Sequence, residues 1–121
     1  MIEKKNFYIN GKWVSPTKPN DFEVINPSTE EAFAIISLGS AEDADKAINA
    51  AKIAFETWRE TTKEERLALL EKFDEIYNRR WDEMVEAQSK EMGAPLDFAS
   101  ETHTKMGADI CRNNIEILKD F

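Results

Sequence analysis

The sequence predicts an α+β chain, a short antiparallel β ribbon followed by three mainly antiparallel helices. Three observations carry this. Phe7 to Val14 alternates and is rich in aromatic and β-branched residues, which favour strands. Ser40-Ala41-Glu42-Asp43 and Thr62-Lys63-Glu64-Glu65 both have the form of a helix start. Apolar residues then recur behind each at helical spacing.

The elements follow in order. Residues 7–38 read as the ribbon. Asn10-Gly11 suits a tight hairpin. Ser15 to Asp21 is a loop by composition. Phe22 to Asn26 is a strand cut by Pro27, which offers a ladder no amide proton. Ala32 to Ser37 is a further apolar run. The first helix is expected over 40–59, with the Ser40 side chain accepting from the Asp43 amide. Its apolar face would comprise Ala44, Ala47, Ile48, Ala51, Phe55 and Trp58.

A long helix is expected over 62–92, with Leu67, Leu70, Phe73, Tyr77, Trp81, Met84 and Val85 on one face. Gly93 stands where a left-handed cap is wanted, with Pro95 two residues beyond. These two helices should pack as an antiparallel pair. The last helix, 95–120, has Met106, Ile110, Ile117 and Leu118 as its apolar face. Together the 121 residues read as one domain, and the abrupt stop at Phe121 suggests that it is incomplete.

Composition excludes several functions. The net charge of −8 argues against nucleic acid and anionic membrane as partners. One cysteine, Cys111, leaves no internal disulfide and no multi-thiolate metal site. No leader precedes Phe7 and no apolar run approaches a membrane span, so a cytoplasmic location is expected.

Residue chemistry alone names no reaction. Arg112 beside Cys111 would lower a thiol pKa, but a buried small helix residue is the better reading of Cys111. His103, the single histidine, reads as a partly exposed helix residue without further ligands. Glu64, Glu65, Glu71, Asp74 and Glu75 read as surface partners of Lys63, Lys72, Arg79 and Arg80. Gly11, Gly39, Gly93 and Gly107 form no phosphate-cradling loop. Trp13, Trp58 and Trp81 are expected in the core.

The order of segments is more specific. Tyr-Ile-Asn-Gly-Lys-Trp-Val is followed by Val-Ile-Asn-Pro-Ser-Thr-Glu, then by the helix Ser-Ala-Glu-Asp-Ala-Asp-Lys-Ala-Ile-Asn-Ala-Ala. Arg66-Leu67-Ala68-Leu69-Leu70 and Lys90-Glu91-Met92-Gly93-Ala94-Pro95 complete the set. From about Phe7 to Phe121 the chain resembles the N-terminal quarter of NAD(P)-dependent aldehyde dehydrogenases. One departure is assigned to Glu31, where the family commonly has Gly after Asn-Pro-x-Thr.

The resemblance implies the N-terminal part of an α/β Rossmann-like cofactor domain. It implies NAD or NADP as cofactor of the full-length enzyme, with none expected on this chain alone. In the family, a cysteine thiolate attacks the aldehyde, hydride passes to the nicotinamide, and a glutamate-activated water releases the acid. The nucleophile and base motifs are absent here, so no catalytic or cofactor-binding residue is assigned and the chain alone is expected to be inactive. Two features carry over. Val24, Ile25 and Glu91 match positions that hold a monovalent cation through two carbonyls and a carboxylate. Thr102 and Met106 match a helix bordering the aldehyde tunnel, where Met suits a flexible apolar wall. The implied partners are the remainder of the chain and further copies in a homo-oligomer. The competing expectation is a non-enzymatic truncated paralogue that oligomerises through uncovered apolar faces.

Overall fold

The computed structural model describes residues 1–121. Their contacts separate into two compact units, Met1–Glu60 and Thr61–Phe121, where the sequence predicts a single domain.

The first unit contains strands β1 (Ile2–Lys4), β2 (Phe7–Ile9), β3 (Lys12–Val14), β4 (Asp21–Asn26) and β5 (Glu31–Ser37), then helix α1 (Ala41–Trp58). β2 and β3 form the expected hairpin, pairing Phe7 with Val14 and Ile9 with Lys12. Asn10 and Gly11 both have positive φ, the mirror-image turn that matches strand twist. The remaining strands make a separate sheet in the order β1-β5-β4. β4 and β5 are antiparallel, but β1 runs parallel to β5, with Ile2 opposite Ala34. The single antiparallel ribbon expected over 7–38 is therefore two sheets, one of them mixed. β1 was missed because a parallel partner lies far along the chain and leaves no turn signal.

The β4–β5 turn corrects a second expectation. Its left-handed residue is Glu30, at φ 60°, directly after Thr29. Glu31 already pairs with Asn26 as the first residue of β5. The position that wants glycine is Glu30.

Helix α1 starts as expected, on a capping box between Ser40 and Asp43. Asp43 is also buried and bound to the preceding loop. Its Oδ1 accepts from the Thr17 amide at 2.8 Å and the Thr17 hydroxyl at 2.7 Å. Its Oδ2 accepts from the Ser40 amide at 2.9 Å and the Ser40 hydroxyl at 2.7 Å. The bonds from Ser40, then those from Thr17, hold the Asp43 carboxyl well below the usual carboxylate range. Beyond this anchor the expected apolar face is uncovered: Ile48, Phe55 and Trp58 are all exposed. Trp13 is exposed as well, so neither tryptophan of this unit is a core residue.

The second unit contains α2 (Lys63–Arg79), α3 (Trp81–Met92), α4 (Leu96–Phe98), a π-helical segment (Ala99–Thr104) and α5 (Lys105–Asp120). The one long helix expected over 62–92 breaks at Arg80, where φ is −100° and ψ 23°. The reason is a change of packing partner: α2 lies on α5, whereas α3 lies on the π segment. No Gly or Pro announces this break. α2 begins on the expected Thr62–Glu65 capping box. α3 ends on Gly93 in the left-handed conformation, as its sequence predicts.

α2 and α5 run antiparallel, since Lys63 reaches the Lys119 carbonyl at one end and Tyr77 reaches the Thr104 carbonyl at the other. Within this unit α5 is thus the partner of α2. Between them lie Ala108, Cys111 and Ile115, all buried. The expected α5 face is displaced, because Met106, Ile110 and Ile117 point outward and are more than half exposed. Small side chains at 108 and 111 allow the close approach, so the inward stripe carries smaller apolar side chains than the outward one. Of the expected surface carboxylates, Glu75 pairs as predicted, 2.7 Å from Lys72 and 4.0 Å from Arg79, whereas Glu71 and Asp74 face Lys119 and Arg112 of α5 and Glu65 caps α2. Such exposed pairs contribute little stability.

Candidate functional site

The ionisable residues assemble no reaction centre. Cys111 is buried and its Sγ lies 3.9 Å from the Leu70 carbonyl. Burial, then the Asp74 carboxylate, raises its thiol pKa, and Arg112 only partly opposes them. The proximity of Arg112 in sequence therefore does not yield a thiolate. No three His, Cys, Asp or Glu side chains cluster as a metal site would require. Val24 and Ile25 lie on β4 of the first unit, on either side of a bulge, and Glu91 lies in the last turn of α3 in the second. The glycines sit in a hairpin, after a strand, at a helix cap and inside a helix, so these residues do not fit a dinucleotide phosphate site.

What the second unit does build is a rigidly held helix. Thr102 lies in the π segment and Met106 in the first turn of α5. Thr102 is half-buried and Met106 more than half exposed. Ala99 and Thr104, at the ends of the π segment, are completely buried. Three side chains grip this segment from α2 and α3. The Tyr77 hydroxyl donates to the Thr104 carbonyl at 3.2 Å, and the Trp81 indole N–H donates to the Ser100 hydroxyl at 3.0 Å. The Gln88 amide donates to the Thr104 hydroxyl at 3.4 Å. Trp81 is thus the one tryptophan that packs as expected. Phe98 and His103 meet edge to face with ring centres 4.9 Å apart, and His103 Nδ1 is buried without a hydrogen-bond partner.

An open groove of about 660 Å³ runs beside these residues, and its charged lining is Glu101, Lys105, Asp109 and Arg112 beside Asn78, Trp81 and Ser100. Its two formal positive charges, Lys105 and Arg112, are balanced by two negative ones, Glu101 and Asp109. Lys105 pairs with Asp109, and Arg112 donates to Asn78 at 2.7 Å and faces Asp74 at 3.6 Å. That leaves no excess charge to select an ionic ligand.

The chain belongs to the aldehyde dehydrogenase family, whose sequence profile matches residues 13–121. It is 45% identical over its whole length to a 3-succinoylsemialdehyde-pyridine dehydrogenase of a Pseudomonas species, covering 26% of that protein. Among solved structures it superposes on an aldehyde dehydrogenase from Bartonella henselae with a TM-score of 0.98 and 54% identity, covering all of this chain and 25% of that one. It also matches a mutant aldehyde dehydrogenase C from Pseudomonas syringae, solved with NAD+ and octanal, at a TM-score of 0.94 and 35% identity over 97% of this chain and 24% of that one. The chain thus spans about a quarter of the length of its relatives, and it matches their N-terminal part.

The π turn and the close approach of Tyr77 to Gly107, where a Cβ would lie 2.4 Å from the phenol oxygen, were missed at the level of sequence. Their one visible signal was Gly107 inside a predicted helix, which often marks a packing requirement.

Proposed function

We propose that this chain is the first part of an NAD(P)-dependent aldehyde dehydrogenase, which oxidises an aldehyde to a carboxylic acid. The remaining polypeptide supplies the nucleophilic thiol, the base and the dinucleotide site. This part supplies framework, and its helix with Thr102 and Met106 walls the aldehyde passage. The assembled enzyme is a cytoplasmic homo-oligomer. The observation that carries the reading is the near-complete superposition on one quarter of an aldehyde dehydrogenase by a chain whose sole cysteine is buried. The large apolar side chains left exposed on α1, and separately on α5, support it, since exposed apolar surface can mark an interaction face. No helix is long and apolar enough to cross a membrane.

The test compares two purified proteins, the 121-residue chain and the product of the reading frame continued downstream. Aldehyde-dependent NADH formation is expected from the longer product and not from the chain alone. Turnover by the chain alone, or none by a well-folded longer product, would overturn the assignment.

A further inference from the structure

We infer that Tyr77 and Gly107 are positioning residues for the aldehyde passage, because together they hold the π turn that decides which side chains the last helix presents on its uncovered face. The inference rests on the reading of Thr102 and Met106 as passage wall and adds the device that places them.

An α-helix has 3.6 residues per turn, so inward positions recur every three or four residues. Here the buried positions are Ala99, Thr104, Ala108, Cys111 and Ile115, so the first step is five residues long. That step coincides with the π segment Ala99–Thr104. The extra residue lets Ala99 and Thr104 both face inward. It also rotates everything before it by about 100° relative to a continuous α-helix. One visible consequence is the contact between Phe98 and His103, five residues apart, at 4.9 Å. On an uninterrupted α-helix those two side chains would diverge.

π turns are rare and occur often at functional sites, so something must hold this one. Tyr77 does so through its bond to the Thr104 carbonyl. The hydroxyl reaches that carbonyl only because residue 107 has no side chain. A Cβ at 107 would lie 2.4 Å from Tyr77 Oη and 3.0 Å from Cζ, closer than real contacts permit. Any side chain there must expel the phenol ring or push the helices apart.

The turn held by this latch brings Phe98 into line with Met106 and Ile110, each more than half exposed. These exposed apolar side chains suit the hydrocarbon part of an aldehyde. One structural relative is recorded with octanal, an aldehyde of that kind.

The experiment uses the full-length enzyme with octanal and NAD+ as varied substrates. Gly107→Ala is expected to raise the octanal KM about tenfold, since small misplacements of positioning groups have large effects. It should leave kcat and the NAD+ KM within about twofold on the same argument. Tyr77→Phe/Gly107→Ala removes the atom that the new methyl strikes and should recover part of the loss. Tyr77→Phe alone should raise the octanal KM about threefold, the scale of one lost hydrogen bond, and serves if Gly107→Ala does not fold. Met106→Ala separates the two readings. If it shifts the octanal KM while the Gly107 and Tyr77 variants do not, the latch is wrong and the passage wall stands. If none shifts it, both are wrong. Equal increases in both KM values for Gly107→Ala would mark general loss of packing and would also sink the proposal.

Discussion

Replacing Glu30 by glycine should stabilise this protein, although it removes a side chain. Glu30 holds φ at 60°, and its amide donates to the Asn26 carbonyl at 2.8 Å across the β4–β5 turn. A residue with a Cβ in the left-handed region is disfavoured by roughly 1–2 kcal/mol. The Glu30 side chain is exposed and forms no ion pair, so its removal forfeits nothing that offsets this strain. Glycine loosens the unfolded chain and returns about 0.4–1 kcal/mol of the gain. The net expectation for Glu30→Gly is about 1 kcal/mol of added stability, or roughly 5 °C in Tm for a domain of this size. Glu31→Gly, one residue on, should act in the opposite sense. Glu31 is in β5 opposite Asn26, and glycine inside a strand costs about 0.5–1 kcal/mol. Urea and thermal unfolding of the two variants, followed by circular dichroism, make the comparison. Variants that moved in the same direction, or a destabilised Glu30→Gly, would refute the assignment of strain to Glu30.

Two further outcomes follow from the ionisable groups. Asp43 has a folded-state pKa below its ordinary value near 3.8, so its contribution to stability is complete above that pH and is lost as pH falls toward the folded value. The urea midpoint should therefore fall steeply below about pH 4, and Asp43→Asn should lower the midpoint at neutral pH and flatten this acid limb. An unchanged acid limb in that variant would remove Asp43 from the account. Cys111, buried and with a raised thiol pKa, should label with a thiol reagent many times more slowly in the native protein than in urea. Equal rates would mean that the α2–α5 contact is open in solution.

Local chemistry made much of this chain legible. The Asn10-Gly11 turn, the capping boxes at Ser40 and Thr62 and the Gly93 cap each depend on a few adjacent residues, and each appears as expected. The succession of these segments also carries the family membership, because that order is itself a property of the sequence. Contacts between distant residues decided the rest. β1 joins β5 across an intervening hairpin, and α2 parts from α3 at Arg80 because they rest on different partners. Which face of α5 turns inward depended on the small residues Ala108 and Cys111, and not on the count of large apolar ones. The π turn lies furthest from sequence reasoning: the side chains that grip it, Tyr77, Trp81 and Gln88, come from other helices, and Tyr77 fits against the bare backbone of Gly107. A helix reads its own caps from neighbouring residues, but its rotation about its axis is set by what packs against it.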